Sequence, residues 1–273
     1  MNSTSITLTK HHAFGNDFLV AFHPGVDDLP ELARRVCDRR RGVGADGLLV
    51  GEADLDQSAQ MTLFNADGGR AEMSGNGIRC FAQALAARRG DRLPPPDGMS
   101  IGTDAGTRRV DLVPTEDPHT VLATVAMGRL ESIDPPVGWT ALGVLADRPV
   151  AHVSVGNPHS VVVVEDVTVI ELEALGRRIP GVNLELVEPG PEPHAVTMRV
   201  HERGVGITEA CGTGAVAAAW AAHSWGLAEP RGGELVVHMD GGSAIVALDR
   251  PEPGHATLSG PATYIATIEF PLP

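Results

Sequence analysis

The sequence predicts an α/β protein of two domains built alike, each a set of short strands around one long apolar helix. Two observations carry this prediction. Ser74-Gly75-Asn76-Gly77 and Cys211-Gly212-Thr213-Gly214 stand half a chain apart, and each sets a small nucleophile-type side chain before Gly-x-Gly and an Ala-rich run. Much of the remaining sequence falls into short, β-branched stretches bounded by Gly, Pro, Asn or Asp, the pattern of strands. A chain of 273 residues has room for two cores.

Strands are expected in the first half at 5–10, 17–22, 48–51, 61–65 and 109–113. In the second half they are expected at 121–127, 152–155, 160–164, 184–187, 196–201, 234–239, 244–248 and 264–270. A helix over 29–40 starts after an Asp pair, carries apolar residues at helical spacing and stops before Gly42. Helices over 75–89 and 212–225 follow the two Gly-x-Gly elbows, and one over 169–178 is closed by Pro180-Gly181. The elbow helices are so rich in Ala that little polar surface remains, so both are expected to be buried. Pro-rich breaks fall at 93–98 and 133–138. The expected division is 1–118 plus a C-terminal strand 263–273, against 119–262.

Composition narrows the function. A net charge of −14 argues against binding nucleic acid. No apolar run approaches the ~20 residues that span a bilayer, and the polar N-terminus is unlike a signal peptide. The cytoplasm is the expected compartment. Cys37, Cys80 and Cys211 are odd in number and lack metal-binding spacing, so no metal site is expected. Lys10 is the sole lysine and has no phosphate-binding loop near it, which disfavours pyridoxal chemistry. Neither a Walker motif nor a Rossmann fingerprint is present, and no cofactor is expected.

A helix N-terminus offers unpaired N–H groups and partial positive charge, which suit a carboxylate and lower the pKa of a thiol. Two such ends on one α-carboxylate, each with a proton-transfer group, would suit cofactor-free racemisation or epimerisation of an amino acid. Other segments are ambiguous when read singly. Asn65-Ala66-Asp67-Gly68 and Asn157-Pro158-His159 also read as plain turns, and Glu202-Arg203 as a solvated ion pair.

In order, however, Gly15-Asn16-Asp17-Phe18, Asn65 to Gly68, Glu72 to Cys80, Gly156 to His159, Glu202 to Gly204 and Ala210 to Gly214 strongly resemble the diaminopimelate epimerases. The likeness runs from Phe14 to Ser259-Gly260-Pro261-Ala262, nearly the whole chain. It implies two pseudo-symmetric α/β domains, each a curved, mostly antiparallel sheet wrapped around a central apolar helix, with the last strand returning to the first domain. It also implies cofactor-free interconversion of L,L- and meso-diaminopimelate in lysine and cell-wall precursor synthesis. The implied partner is that small molecule, not nucleic acid or membrane, and homodimerisation is left open. By the same resemblance, Ser74 and Cys211 take the two acid/base positions, and His159 sits close to the first and assists it. The N–H groups of Gly75, Asn76, Gly212 and Thr213 hold the reacting carboxylate. Glu202 and the Arg203 region receive the reacting ammonium. Asn16, Asn65, Asn157, Asn183 and Arg203 read the distal end, and Asp46 joins the substrate-binding set.

The chain departs from the family pattern at Ser74, where a cysteine is usual. A serine hydroxyl is far less acidic than a thiol and needs a base beside it; serine is also a good helix cap. Three readings stay open. The first is an epimerase with Ser74 activated by a neighbour such as His159. The second is a one-base dehydratase or isomerase driven by Cys211, and the third is a silenced, amino-acid-binding relative. Ile207 also stands before Thr208 where the family has Glu, a change with modest expected effect.

Overall fold

In a computed structural model, which describes residues 5–53, 58–90 and 98–272, the first strands form an antiparallel hairpin. Strand β1 (Ser5–Ala13) meets β2 (Asn16–Phe22) through Phe14 and Gly15, at φ 55° and 84°. Two left-handed residues suit the twist of a tight hairpin, but only Gly adopts that region at no cost. Phe14 is held there by packing, with the Arg79 guanidinium 4.7 Å from its ring centroid. Helix α1 (Leu29–Cys37), capped by Asp28, leads to β3 (Gly47–Ala53), which runs parallel to β2. Strand β4 (Ser58–Asn65) returns antiparallel to β3, and the two-residue β5 (Arg70–Ala71) pairs with β4. After helix α2 (Gly75–Arg89), β6 (Met99–Gly102) enters parallel to β4. Antiparallel β7 (Arg108–Pro114) and β8 (Thr120–Arg129) follow.

The second half repeats this plan with one short strand and a 3₁₀ turn added near its start. A short β9 (Glu131–Ser132) pairs with β10 (Val150–Ser154), which forms a hairpin with β11 (Pro158–Val163). After helix α3 (Leu172–Gly176), β12 (Asn183–Pro189) lies parallel to β11. Strand β13 (Ala195–Glu202) is antiparallel to β12 and carries the short β14 (Gly206–Thr208). Helix α4 (Gly212–Ser224) precedes β15 (Glu234–Met239), which is parallel to β13. Antiparallel β16 (Gly242–Leu248) and β17 (His255–Pro271) close the series.

The chain divides into two units, Met1–Val125 with Gly260–Pro273, and Ala126–Ser259. The sequence-based division at 118/119 falls just before β8, and that strand runs on past the change of unit. Strand β17 serves both units: Ala256–Ser259 pair with β16, and Thr263–Pro271 pair with β1.

Each unit wraps its sheet around one helix. Helix α2 contacts β1, β2, β3, β4 and β7, and α4 contacts β10, β11, β12, β13, β15 and β16. Every residue from Gly75 to Ala86 is buried in α2, and in α4 every residue from Gly212 to Ala222 except Trp220. Alanine makes this possible, because a methyl lets strands close on all sides of the helix. Adding methylenes to so tight a core typically costs about 1–3 kcal/mol.

Several boundaries differ from the sequence reading for identifiable reasons. Helix α1 stops at Cys37 rather than Arg40, because Asp38 turns extended (ψ 118°) and its carboxylate takes the N–H groups of Arg40 and Arg41. Helix α3 is shorter than 169–178; Gly176 lies so close to His201 that an added Cβ would come within 2.1 Å of the ring. Gly260-Pro261 does not interrupt β17. Gly260 is required there because a Cβ would fall 1.7 Å from an Arg79 nitrogen. Short strands β5, β6, β9 and β14 and a 3₁₀ turn at Trp139–Leu142 carry too little pattern to be read from sequence. The break at 93–98 lies outside the described residues except for Gly98. Among the described residues, no helix is long and apolar enough to cross a membrane.

Candidate active site

Cys211 is the N-cap of α4. Its backbone is extended (φ −126°, ψ 115°) and its Sγ accepts the Gly214 N–H at 3.4 Å. The thiol sits on a continuous polar line. Its Sγ lies 3.5 Å from Thr213 Oγ1, which accepts from Asn157 Nδ2 at 3.3 Å. Asn157 Oδ1 lies 2.9 Å from His159 Nε2, and His159 Nδ1 lies 2.6 Å from Glu185 Oε1. On its other side Cys211 is hydrogen-bonded to Glu202, whose Oε1 accepts from Thr208 Oγ1 at 2.5 Å. Asn183 Oδ1 accepts the Arg203 N–H at 2.8 Å, and Asn183 Nδ2 donates to the Pro158 carbonyl at 3.2 Å. Cys211, Glu202, Thr213, Asn157, His159, Asn183 and the Arg203 backbone are thus gathered in one unit.

Ser74 holds the equivalent place in the other unit. It caps α2 with nearly the same backbone (φ −131°, ψ 125°), and its Oγ accepts the Gly77 N–H at 3.0 Å. Asn76 Nδ2 donates to Asn16 Oδ1 at 3.2 Å, and Asn16 Nδ2 donates to Asp46 Oδ2 at 2.7 Å. Asp46 also accepts from the Asp17 N–H and from Arg39, so its role is to hold Asn16 in place. The correspondence between units extends to these amides. Asn16 follows Gly15 and reaches Asn76, and Asn157 follows Gly156 and reaches Thr213. Asn65 ends β4, and its backbone closes the turn through Gly68 and Gly69. Its side chain is outside the network just described.

Beneath the α2 elbow lies Arg79, fully buried. Its Nε donates to the Gly75 carbonyl at 3.1 Å and one terminal nitrogen donates to Asn76 Oδ1. Its other terminal nitrogen has no hydrogen-bond partner among the described residues. Burial pulls its pKa down to about 10. The Gly-x-Gly turn of α2 is therefore fixed from below by a cation.

The electrostatics of Cys211 run against the simplest expectation from the sequence. A helix N-terminus lowers a thiol pKa, yet Cys211 lies well above its ordinary value. Burial is the largest cause, followed by the negative charges of Glu202 and Glu185. The Thr213 hydroxyl and the Gly214 N–H pull the other way and are outweighed. Burial likewise raises the Glu202 carboxyl, offset in part by Thr208 and Cys211. A raised carboxyl beside a raised thiol makes a pair across which one proton can pass.

Sequence reasoning missed Glu185, Thr208 and Arg79. Glu185 carried the clearest signal, an acid inside the otherwise apolar run Leu184-Glu185-Leu186-Val187 of β12. Lys10 is tied up by Asp17 (2.9 Å) and the Gly44 carbonyl (2.7 Å). Among the described residues no group of three or more His, Cys, Asp or Glu side chains is placed to hold a metal ion.

The fold is one that solved proteins of more than one activity share. The chain resembles a solved hydroxyproline epimerase of Agrobacterium vitis with bound trans-4-hydroxy-L-proline, at TM-score 0.71 and 16% identity, covering 99% of this chain and 94% of that one. A PhzF-family phenazine biosynthesis protein of Bacillus anthracis has a TM-score of 0.74 at 16% identity, covering 99% of this chain and all of that one. Sequence is more specific. The diaminopimelate epimerase family model matches residues 8–132 and 151–265. The diaminopimelate epimerase of Corynebacterium glutamicum strain R is 39% identical over 97% of this chain and 98% of its own length. That of Pelotomaculum thermopropionicum is 35% identical over 96% and 98%. The chain belongs to the diaminopimelate epimerase family.

Proposed function

We propose that the protein interconverts L,L- and meso-diaminopimelate by two-base proton transfer without a cofactor, in lysine and peptidoglycan precursor synthesis. The carrying observation is Cys211, a thiol capping a buried helix and hydrogen-bonded to a carboxylate of raised pKa. In this reading Glu202 accepts the Cys211 proton, and the thiolate takes the substrate α-proton. Electron density left on the α-carbon spreads into the α-carboxylate. The N–H groups of Gly212 and Thr213, with those of Gly75 and Asn76, stabilise that charge. Ser74 gives a proton to the opposite face and is reprotonated from solvent while Glu202 releases its proton to solvent, which restores the starting state. In the reverse direction the two residues exchange roles. Glu202 and the Arg203 backbone receive the reacting ammonium, while Asn16, Asn65, Asn157, Asn183 and Arg203 recognise the distant amino-acid end. Asp46 acts through Asn16. A substrate lacking the distal polar groups would leave these amides unpaired, which is the basis of selectivity.

Ser74 supports a second reading, a one-base isomerase or dehydratase, or a binding relative. Its Oγ already accepts the Gly77 N–H, which is the arrangement of a plain helix cap. Proton NMR of L,L-diaminopimelate with the protein in D2O separates the readings. Loss of the α-proton signal together with meso product supports the epimerase. Exchange without inversion, or no exchange at all, overturns it.

A further inference from the structure

Glu185 is a fully buried acid for which the reaction above gives no task. Its Oε1 lies on His159 Nδ1, and its Oε2 has no hydrogen-bond partner among the described residues. Leaving a carboxylate oxygen unpaired in a protein interior is costly, so the fold gains nothing from it by packing. The other unit makes the point directly. Strand pairing matches His159 with Asn183 in one unit and Phe18 with Gly47 in the other. Two residues further along those partner strands stand Glu185 and Leu49. The second unit therefore has a buried His–Glu pair where the first has Phe18 and Leu49, also buried. One scaffold accepts an apolar pair there, yet in the unit carrying Cys211 the pair is polar.

Glu185 also touches the elbow. A Cβ on Gly214 would come 2.8 Å from Glu185 Oε1 and 3.3 Å from Cys211 Sγ. The second glycine of Cys211-Gly212-Thr213-Gly214 is thus the gap through which the carboxylate reaches the first turn of α4.

We infer that Glu185 is a positioning residue: it accepts the His159 Nδ1–H and fixes the ring, leaving Nε2 as an acceptor. Asn157, its amide turned over, gives Nε2 an N–H while its oxygen accepts from Thr213, and so the line to the Cys211 sulfur is ordered. The partner on one ring nitrogen determines the orientation and tautomer presented at the other. Without Glu185 the ring could rotate, and Asn157 and Thr213 would lose their registration with the thiol. For turnover this rests on the epimerase reading; for the state of the ring it does not.

The test uses 15N-labelled full-length protein without substrate, reading the His159 ring nitrogens by long-range proton–nitrogen correlation, with assignment by loss in His159→Gln. In the wild type Nδ1 carries a proton. Glu185→Leu, which copies Leu49 of the other unit, should redistribute that proton between the two nitrogens. It should also lower kcat about tenfold, with KM held within about twofold, as loss of an orienting partner does. Glu185→Gln keeps an acceptor of the same shape and should keep both the Nδ1 proton and most of the turnover. A folded Glu185→Leu protein whose His159 ring is unchanged overturns the inference. If that variant does not fold, Glu185→Gln decides: the Nδ1 proton signal must move upfield because the acceptor has become neutral, and an unmoved signal is the contrary result. A wild-type ring protonated at Nδ1 in a protein that fails to turn over diaminopimelate would sink the proposed reaction and leave this assignment standing.

Discussion

Ser74→Cys isolates the chemistry of one atom. Serine and cysteine caps can be compared within this molecule, since Ser74 and Cys211 share an extended backbone to within about ten degrees in both angles. Cys211 shows that sulfur fits such a cap, accepting its N–H at 3.4 Å where the Ser74 oxygen accepts at 3.0 Å. The exchange should therefore cost less than the ~1 kcal/mol of a lost cap, a Tm change of no more than about 2–4 °C for a chain of this size. The effect on rate should be larger. A positioned acid or base contributes about 100- to 10,000-fold, and a thiol with reference pKa ~8.5 is a far better proton donor than a serine hydroxyl. Taking the lower end, kcat for meso formation should rise on the order of 100-fold, or about 2.7 kcal/mol of barrier. The assay is the D2O exchange measurement with both stereoisomers quantified. A variant with unchanged Tm and a rate no higher than wild type would refute the reasoning, because Ser74 would then not be the limiting group.

Two further outcomes follow from groups away from the elbows. Burial pushes His11 down to about 4 from an ordinary 6.5, with its nitrogens on Gln83 and Thr9. The unfolded chain then binds the extra proton more readily than the fold does. This contribution to stability is complete above pH 6.5 and is lost as pH falls towards 4; the full span is worth about 3 kcal/mol. His11→Gln should flatten that limb in urea unfolding measured across the interval, and an unchanged slope would show that the acid limb arises elsewhere. Gly260→Ala would drive a methyl into the Arg79 guanidinium, which also stacks on Phe14. A loss of more than about 3 kcal/mol is expected from such overpacking of a buried charge, read as a lower urea midpoint; a loss below ~1 kcal/mol would mean that Arg79 can move aside.

Legibility tracked how local the cause was. The elbows could be read because a cap residue, Gly-x-Gly and an Ala run are adjacent in the chain, and all three act within one turn of helix. Short strands such as β5 and β14 could not, since two or three residues show no period and owe their pairing to β4 and β13. The last strand was expected only from 264, whereas β17 begins at His255, and Gly260 within it answers to Arg79, which lies far away in sequence. Asn157, His159, Asn183, Glu202 and Thr213 were all named from the sequence, but His159 was expected beside Ser74, whereas it lies between Glu185 and Asn157 on the line to Cys211. The electrostatics there were not legible: the thiol is raised because burial and two carboxylates outweigh the helix end, and one of them, Glu185, comes from a strand with no motif of its own.

The final strand bears on how the chain is made. Ser5 pairs with Pro271 and His12 with Thr263, so the edge of β1 away from β2 meets β17 only after more than 250 further residues have been synthesised. At a typical 5–20 residues per second, this strand edge waits on the order of 13–50 s. The unit Ala126–Ser259 draws on one uninterrupted stretch and has no such wait. The order of assembly on the ribosome is thereby inverted, with the N-terminal unit finishing last and β1 the segment most in need of protection from premature pairing.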